Sequence, residues 1–245
     1  MKKFRFAILG AGHIARQFCD AVSRIDGCEV CAVASKSLAR AENFAKENGV
    51  ESYYDDYEML LEKERPDCAY IAVTTNDHYR LSVLCVNHSV PVLCEKAMFQ
   101  NSEEAKNLYT LASEKKIFVM EALWSRYLPA VQQAKRWVEQ EKIGTPTVLQ
   151  CNIGFVAPDD KENRYFNPKL GGGATKDITV YAYEITTFIL NQAIKNISVS
   201  ATWSDTGVDV TDHVAICFED TFADLLTSFV AQLEEQMVIY CSMFS

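Results

Sequence analysis

The fold is decided by residues 4–15, which read Phe4-Arg5-Phe6-Ala7-Ile8-Leu9-Gly10-Ala11-Gly12-His13-Ile14-Ala15. The first six residues are mostly apolar, which is typical of a parallel strand covered by helices on both faces. Gly10 and Gly12, with Ala15 at the third small position, follow at the spacing of a dinucleotide-binding turn. Backbone amides and a helix N-terminus face a pyrophosphate in such a turn. We therefore expect Gly10, Gly12, His13 and Ile14 to contact a dinucleotide.

The residues after this turn supply the context that the motif requires. Apolar side chains recur at helical spacing, at Ile14, Phe18, Ala21, Val22 and Ile25. Two glycines alone are also compatible with an ordinary turn between a strand and a helix. The N-terminal position and the order strand, turn, helix favour nucleotide binding.

The first half of the chain alternates strands and helices. Further strands are predicted at 29–34, 68–73, 90–94 and 117–120, and helices at 38–48, 57–64, 77–87 and 102–115. Helix caps are expected from Gly49, from the pair Asp55 and Asp56, and from Asn101 with Glu104. This alternation predicts a doubly wound parallel sheet, an α/β class in which ligands bind at the carboxyl ends of the strands.

The pattern changes near residue 123. Pro129 is predicted to open an amphipathic helix that ends by Gly144, with inward side chains at Val131, Ala134, Trp137 and Val138. Strands are expected at 147–155, 197–203, 212–218 and 222–233, with one helix at about 174–190. The sequence thus predicts a Rossmann domain at 1–122 and, at 123–245, an α+β domain on a largely antiparallel open sheet. Residues 237–245 resemble an interrupted strand, as if the second sheet were shortened.

Composition excludes several classes of function. The 245-residue chain has a net charge of −9 and a sequence pI near 5.0, which opposes a nucleic-acid surface. We expect no membrane segment and no metal. Nine cysteines without a signal-peptide pattern indicate reduced thiols and a cytoplasmic location. Cys28 and Cys31 form a C-x-x-C within a predicted strand, where residues three apart face opposite sides, so we interpret them as packing residues.

Two later segments carry groups that can move protons. Residues 93–98 read Leu-Cys-Glu-Lys-Ala-Met directly after an apolar strand, which places Lys96 at a strand end. A glycine run, Gly171 to Gly173, precedes Asp177 and Tyr181, which are spaced i, i+4. A lysine, an acid and a phenol in these positions suit carbonyl or alcohol chemistry, so we expect an enzyme.

The end of the predicted second strand bears on the choice of cofactor. A ribose-binding acid is expected about 20 residues past the glycine turn. Ser35, Lys36 and Arg40 stand there instead, and we expect no carboxylate at that place. Small hydroxyls and cations suit a 2′-phosphate, so we predict NADP, with NAD possible. The alternative is that Lys36 and Arg40 are ordinary solvated charges.

Four motifs together resemble the Gfo/Idh/MocA oxidoreductases. They are the glycine turn, Cys94-Glu95-Lys96, residues 121–129 (Glu-Ala-Leu-Trp-Ser-Arg-Tyr-Leu-Pro), and Phe166-Asn167-Pro168 with the glycine run. The pair Asp177 and Tyr181, with Trp124 and Arg126, is similar to the branch that contains dimeric dihydrodiol dehydrogenase and glucose-fructose oxidoreductase. Ala97 departs from the proline usual in the family, although that branch tolerates alanine.

The resemblance implies roles for individual residues. Lys96 and Tyr181 would be the catalytic pair, with Asp177 supporting the substrate. The cofactor would be surrounded by Thr74, Thr75, Asn76, His78, Glu95, Trp124 and Arg126, in addition to Lys96. Simpler alternatives exist for each: Tyr181 as a packing residue, Lys96 as a surface lysine, Glu95 as a structural acid, His78 as a helix cap, and Arg126 and Arg164 as solvated charges or substrate contacts.

The function predicted from the sequence is hydride transfer between NADP and a hydroxyl or carbonyl of a sugar, polyol or dihydrodiol. Asn163, Arg164, Asn167 and Asp177 suit a polyhydroxylated substrate. The alternative is a regulator or sensor on the same fold that binds a dinucleotide without chemistry. An open sheet with one uncovered face, and the resemblance, predict a homodimer or higher homo-oligomer.

Overall fold

A computed structural model describes residues 2–242. The chain forms two compact units, Met1–Ala122 and Leu123–Ser245. Each has its own sheet and its own apolar core.

The first unit is a six-stranded parallel sheet with helices between the strands. Its elements are β1 (Phe4–Leu9), α1 (His13–Ser23), β2 (Cys28–Ala34), α2 (Leu38–Asn48), β3 (Ser52–Tyr54), α3 (Tyr57–Glu64), β4 (Cys68–Ile71), α4 (His78–Asn87), β5 (Val92–Cys94), α5 (Ser102–Lys115) and β6 (Val119–Glu121). The strand order is β3-β2-β1-β4-β5-β6. This arrangement confirms the predicted doubly wound sheet.

The apolar run of β1 is buried on both faces, as predicted. Ala7 and Leu9 pack into one core and Ile8 into the other, all three without exposed surface. The expected caps are present, since Asp56 accepts a hydrogen bond from Met59 N and Asn101 accepts from Glu103 N and Glu104 N. Successive side chains of β1 thus pack into two different cores, one on each face of the sheet, as expected for a strand between two layers of helices.

Several boundaries in the first unit differ from the prediction. The three-residue strand β3 was not predicted, because it is too short to show a pattern. The strand β5 begins at Val92 because Pro91 has no N–H for the sheet. The buried face of α1 consists of Ala15, Cys19 and Val22. Ile14 and Ile25 are exposed instead.

The second unit is a mixed five-stranded sheet with helices. Its elements are α6 (Pro129–Glu139), β7 (Pro146–Gly154), a π-helical turn (Thr175–Thr179), α7 (Val180–Leu190), β8 (Ile194–Trp203), β9 (Asp209–Phe218), β10 (Phe222–Ser228) and β11 (Gln236–Cys241). The strand order is β11-β7-β10-β9-β8. Only the pair β7 and β10 is parallel, so the predicted α+β class with a largely antiparallel sheet is confirmed.

Two predictions for the second unit were wrong in detail. The helix α6 ends at Glu139, and its Trp137 is 44% exposed rather than inward. The strand β10 ends at Ser228 and not at residue 233, although the next amide, Phe229 N, still bonds to Val210 O of β9. Residues 236–241 form the strand β11, which pairs with β7 as the edge strand of the sheet and has a register shift between Tyr240 and Cys241. The rest of the predicted interrupted strand, residues 243–245, lies outside the described residues.

The two faces of the second sheet differ in their cover. On one face Ala182 and Leu190 of α7 pack against Leu149, Ile216 and Leu225. The neighbouring residues of each strand point the other way. That outer face carries Phe222, 47% exposed, and Tyr240, 48% exposed. Because Phe222 and Tyr240 both pair with Val148, they lie on either side of it, on the two strands that flank β7.

A buried acid holds the π-helical turn to β9. Asp212 is 1% exposed, and its Oδ2 accepts hydrogen bonds from Thr175 Oγ1 at 2.9 Å and Thr179 Oγ1 at 2.7 Å. No donor among residues 2–242 reaches its Oδ1. Asp209 lies beside it and accepts from Thr175 N at 2.6 Å. Burial is the main cause that raises the pKa of Asp212, the charge of Asp209 adds to it, and the threonine hydroxyls oppose it.

This raised pKa makes stability depend on pH in a definite direction. The folded protein keeps a proton on Asp212 at pH values where the unfolded chain, with a pKa of about 3.9, has lost it. The free energy of unfolding therefore falls as pH rises from about 4 through the raised pKa.

Asp212→Asn should remove this pH-dependent loss. The amide oxygen still accepts from both threonines, and the amide nitrogen can donate to Asp209. We expect the variant to gain about 1–2 kcal/mol over the parent chain at about pH 8 and close to nothing at about pH 4. Urea unfolding at several pH values measures this difference. Asp212→Ala, which loses the acceptor of both hydroxyls, should be less stable at every pH. Parallel pH profiles for the parent chain and Asp212→Asn would contradict the assignment.

Candidate active site

The glycine turn after β1 has two glycines with different structural roles. Gly10 has φ +115°, and a Cβ there would lie 2.5 Å from the carbonyl oxygen of Ala72. Neither a positive φ nor that contact is compatible with a larger residue. Gly12 has open space, because its nearest neighbour would be Ala72 O at 3.9 Å. Gly10 thus brings β1 and the end of β4 together, while Gly12 leaves room for a ligand.

The N-terminus of α1 is open to a negatively charged ligand. Gly12 is the N-cap residue, and no side chain caps the helix. The first amides of α1 therefore lack a side-chain acceptor, which is the arrangement that binds phosphate in dinucleotide folds. His13 is exposed and Ile14 is 37% exposed at the same end. These features fit the pyrophosphate of a dinucleotide.

The end of β2 carries the residues expected to bind the adenosine ribose. Ser35 is 5% exposed, and Arg40 is exposed on α2. Lys36 Nζ contacts Asp77 Oδ2 at 2.5 Å. Asp77 also accepts from Arg80 Nε at 3.2 Å. The end of β2 itself has no carboxylate, but the segment after β4 brings Asp77, which is 41 positions from Lys36 in the sequence, to this place.

Burial alone would raise the pKa of Asp77. The hydrogen bonds and charges of Lys36 and Arg80 outweigh it and hold the pKa below its usual value. Asp77 is therefore ionised at neutral pH.

The segment after β4 contains the four polar residues expected near the cofactor. Thr74 Oγ1 donates to Asn76 Oδ1 at 2.6 Å, and Thr75 begins a short 3₁₀ turn at Thr75–Asp77. His78 is 1% exposed, and its ring nitrogens lie 2.9 Å from Ala97 O and 3.0 Å from Val73 O. Burial lowers the pKa of His78, against the effect of these carbonyls. Its ring therefore joins two backbone segments, and any role toward a ligand would be indirect.

The segment after β5 contains Glu95 and Lys96. Glu95 accepts a hydrogen bond from the hydroxyl of Tyr70 at 2.5 Å, and its amide bonds to Ile71 O. Lys96 is half-buried, and the peptide between Lys96 and Ala97 is cis. Glu121 accepts from Met98 N at 2.8 Å, which holds the next turn. Lys96 thus stands at the carboxyl end of the sheet, where ligands bind in this fold.

In the second unit, Trp124 is hydrogen-bonded to Tyr181. Trp124 Nε1 donates to the phenol oxygen at 2.9 Å, and the two rings meet edge to face at 6.1 Å. An N–H donor on this oxygen stabilises the phenolate more than the phenol. In the structure Trp124 is thus a hydrogen-bond partner of Tyr181, whereas the sequence analysis predicted that it contacts the cofactor.

Arg126 is held by a buried acid, Glu184, which the sequence analysis did not single out. Its Nε donates to Glu184 Oε2 at 2.7 Å, and the hydroxyl of Ser125 donates to the other carboxylate oxygen. Glu184 is 3% exposed, and Arg126 also lies over the ring of Phe188 at 5.2 Å. The ion pair fixes the segment that carries Trp124.

Asp177 is paired with Arg164. Two guanidinium nitrogens of Arg164 donate to the two carboxylate oxygens at 2.9 and 3.2 Å. The sequence interpretation treated Asp177 and Tyr181 as one α-helical turn apart. In the structure Asp177 lies in the π-helical turn Thr175–Thr179, and Tyr181 lies in α7.

The glycine run before this turn is tightly packed. A Cβ at Gly173, which has φ +121°, would lie 2.3 Å from Asp209 Oδ1. A Cβ at Gly172 would lie 2.7 Å from Tyr165 O. The run thus allows the close backbone passage that leads into the π-helical turn.

The structure identifies four acids that sequence reasoning passed over. They are Asp77, Glu184, Asp209 and Asp212. Glu184 and Asp212 each gave a signal, since each is a single acid at an inward position of an otherwise apolar pattern. Along residues 2–242 no group of three or more His, Cys, Asp or Glu side chains could hold a metal ion. Within the same range, no helix is both long and apolar enough to span a bilayer.

The order of the strands, the glycine turn and the open N-terminus of α1 together define the first unit as a nucleotide-binding Rossmann unit. The second unit is built on a mixed sheet. The chain belongs to the Gfo/Idh/MocA oxidoreductase family. Residues 4–123 match the model for an oxidoreductase family with an NAD-binding Rossmann fold. Residues 131–243 match the GFO/IDH/MocA C-terminal domain. The predicted family resemblance and the assignment as an NAD(P)-dependent oxidoreductase are thereby confirmed.

Individual relatives agree with the family. A trans-1,2-dihydrobenzene-1,2-diol dehydrogenase of Danio rerio is 30% identical over 230 residues, which are 93% of this chain and 68% of the relative. KijD10, a 3-ketoreductase from Actinomadura kijaniata solved with NADP and TDP-benzene, has a TM-score of 0.90 at 21% identity and covers 98% and 74% of the two chains. GenD2 from gentamicin A biosynthesis, solved with NAD, has a TM-score of 0.87 at 18% identity and covers 97% and 69%.

The two glycines of the turn should respond differently to alanine. Gly10→Ala should destabilise the chain by roughly 2–4 kcal/mol, because the Cβ meets Ala72 O and the backbone has a positive φ. Gly12→Ala should leave thermal unfolding almost unchanged and weaken dinucleotide binding by about tenfold, because the methyl group occupies the pyrophosphate approach. Thermal unfolding and titration calorimetry measure the two effects. Equal melting temperatures for the two variants would contradict the assigned roles.

Proposed function

We propose that this protein oxidises or reduces a CH–OH group of a small polyhydroxylated molecule, with NADP as the preferred cofactor. Sugars, polyols and dihydrodiols are the substrate class, and trans-dihydrodiols are the first to test because of the diol dehydrogenase relative. The observation that carries the proposal is the hydrogen bond from Trp124 to Tyr181, which prepares a phenol oxygen for proton transfer.

The proposed catalytic groups are Lys96, Tyr181 and Asp177. A bound nicotinamide supplies the hydride acceptor or donor of the reaction. The substrate hydroxyl must lose a proton at the same time, and Tyr181 accepts it. A phenol has a pKa of about 10, so the phenolate needs help from nearby positive charge and from donors. Trp124 is one such donor, and Lys96 supplies the cation in this proposal.

Asp177 is proposed to hold a substrate hydroxyl. Its bidentate pair with Arg164 fixes the orientation of the carboxylate. Since the carboxylate oxygens have further acceptor capacity, a hydroxyl of the substrate can donate to them as well.

The preference for NADP is proposed from the residues after β2. Ser35, Lys36 and Arg40 offer a hydroxyl and two cations at the expected ribose position. Thr74, Thr75, Asn76 and Glu95 complete the proposed cofactor contacts at the ends of β4 and β5, with His78 acting through the backbone that it holds.

We also infer a homodimer and a cytoplasmic location. The outer face of the second sheet exposes Phe222 and Tyr240 on the two strands that flank β7, and a second copy would cover them. The proposed division of labour is cofactor binding by residues 1–122, and substrate binding with dimerisation by residues 123–245. All nine cysteines are unpaired, which agrees with a reducing compartment.

Lys96→Met and Tyr181→Phe should each lower kcat by roughly 10²–10⁴ with cofactor affinity little changed, because each removes a proton-handling group. Trp124→Phe keeps the ring and loses only the N–H, so it should cost about tenfold in kcat. The assay follows the absorbance of reduced nicotinamide with NADP and a panel of trans-dihydrodiols, aldoses and inositols.

A matched control is Tyr183→Phe, which removes an exposed phenol two residues away on α7. It should retain full turnover. Unchanged turnover in both Lys96→Met and Tyr181→Phe would remove the catalytic assignment. Cofactor binding without turnover on the whole panel would favour a sensor instead.

Phe222→Glu should convert the proposed dimer to a monomer, because it places a charge within the exposed apolar part of the outer sheet face. Trp137→Glu is the control, since Trp137 is 44% exposed on α6 and away from that face. Sedimentation velocity measures the masses. A parent chain that sediments as a monomer would contradict the dimer, as would a Phe222→Glu variant that remains dimeric.

A further inference from the structure

Asp77 occupies an unusual position for a carboxylate in a site proposed to bind a phosphate. Its Oδ2 lies 2.5 Å from Lys36 Nζ and its Oδ1 lies 3.2 Å from Arg80 Nε. Asp77 is largely buried, with a side-chain exposure of 14%, whereas that of Lys36 is 68%. The acid is therefore the fixed partner, and the lysine is the side chain that can move.

The sheet order gives this ion pair its place. Lys36 follows β2 and Asp77 follows β4, and β1 lies between those two strands. Neighbouring strands are about 4.8 Å apart, so the pair reaches across the carboxyl end of β1. The glycine turn starts at that same end. The ion pair thus lies at the crevice where dinucleotides bind in this fold.

The two dinucleotides present different groups at the ribose. NADP carries a 2′-phosphate, which needs cations and is repelled by a carboxylate. NAD carries a 2′-hydroxyl, which donates a hydrogen bond to an acid. A phosphate would have to draw Lys36 away from Asp77, whereas a hydroxyl would not.

We propose that Asp77 sets the balance between NAD and NADP by competing with the 2′-phosphate for Lys36. This inference rests on the proposed function, in which Lys36 favours NADP. Asp77 is then a specificity-determining residue that arrives from the segment after β4 rather than from the end of β2. It limits the preference for NADP and preserves binding of NAD.

The test is direct binding of NAD and NADP to the full chain, measured by titration calorimetry without any substrate. Asp77→Asn keeps the size of the side chain and removes its charge. We expect NADP to bind about tenfold more tightly, and NAD to bind equally well or up to about threefold more weakly. A parallel change for both dinucleotides, or no change, would overturn the proposal.

A second variant tests whether Lys36 is the group in competition. Lys36→Met should weaken NADP by about tenfold and leave NAD within about twofold. In the double variant, the gain from Asp77→Asn should shrink to less than about threefold. A full tenfold gain in the absence of Lys36 would show that Asp77 does not act through it, and so overturn the competition.

Asp20→Asn is the matched control, because it makes the same change in net charge. Asp20 pairs with Arg24 on the exposed side of α1, at 2.8 Å. Both dissociation constants should stay within about twofold of the parent values. A shift in Asp20→Asn equal to that in Asp77→Asn would overturn the specific role. If the parent chain binds neither dinucleotide, the proposed function itself fails, an outcome distinct from binding without the Asp77 effect.

Discussion

The approach of Gly10 to Ala72 is the constraint on which the first unit depends. The backbone after β1 passes so close to the end of β4 that no side chain fits between them. Since β1 pairs with β2 on one side and with β4 on the other, this approach brings three loop segments to one crevice. The open terminus of α1, Lys36 and Asp77 then share it. The backbone contact between Gly10 and Ala72 thus determines where the charged side chains of Lys36 and Asp77 can approach a ligand.

In both units, acidic side chains at the candidate site form ion pairs with lysine or arginine side chains. Asp77 is held by Lys36 and Arg80, and Glu184 by Arg126. In each pair the acid is the more buried partner, so the pair fixes the orientation of the basic side chain. Glu184 differs from Asp77 because it is almost completely buried, and removing its partner would leave a charge without solvation. The segment with Trp124 is therefore fixed more firmly than the segment with Lys36.

Much of the fold could be predicted from the sequence, because buried apolar residues recur at a regular spacing along each strand and helix. The run in β1 and the caps at Asp56 and Asn101 are local patterns, and the structure has them where expected. Trp137 was assigned inward by the same reasoning but is exposed, because α6 buries none of its residues completely. Periodicity shows which face of a helix is apolar, and it does not show how much of that face another element covers.

The candidate site was harder to predict than the fold, because its contacts join residues that are far apart in the sequence. Asp212 could have been found, since it occupies an inward position in the alternation of β9. Asp77 could not, because only the order of the strands brings it to Lys36. The family resemblance supplied the identities of Lys96 and Tyr181, but not the partner of either Trp124 or Asp177. Those partners depend on the directions in which the side chains point, and the spacing of residues in the sequence does not predict these directions.

The π-helical turn before α7 has a consequence for how the second unit can change by deletion. A π-turn holds about one residue more than an α-turn, and successive α-helical residues are about 100° apart around the axis. Loss of one residue from Thr175–Thr179 would therefore swing Asp177 by roughly that angle relative to Tyr181. The acid would leave Arg164 while the phenol kept Trp124. A single-codon deletion here would thus redirect Asp177 without disturbing the hydrogen bond between Trp124 and Tyr181, a short route by which the polar groups on this side of the second unit can be rearranged.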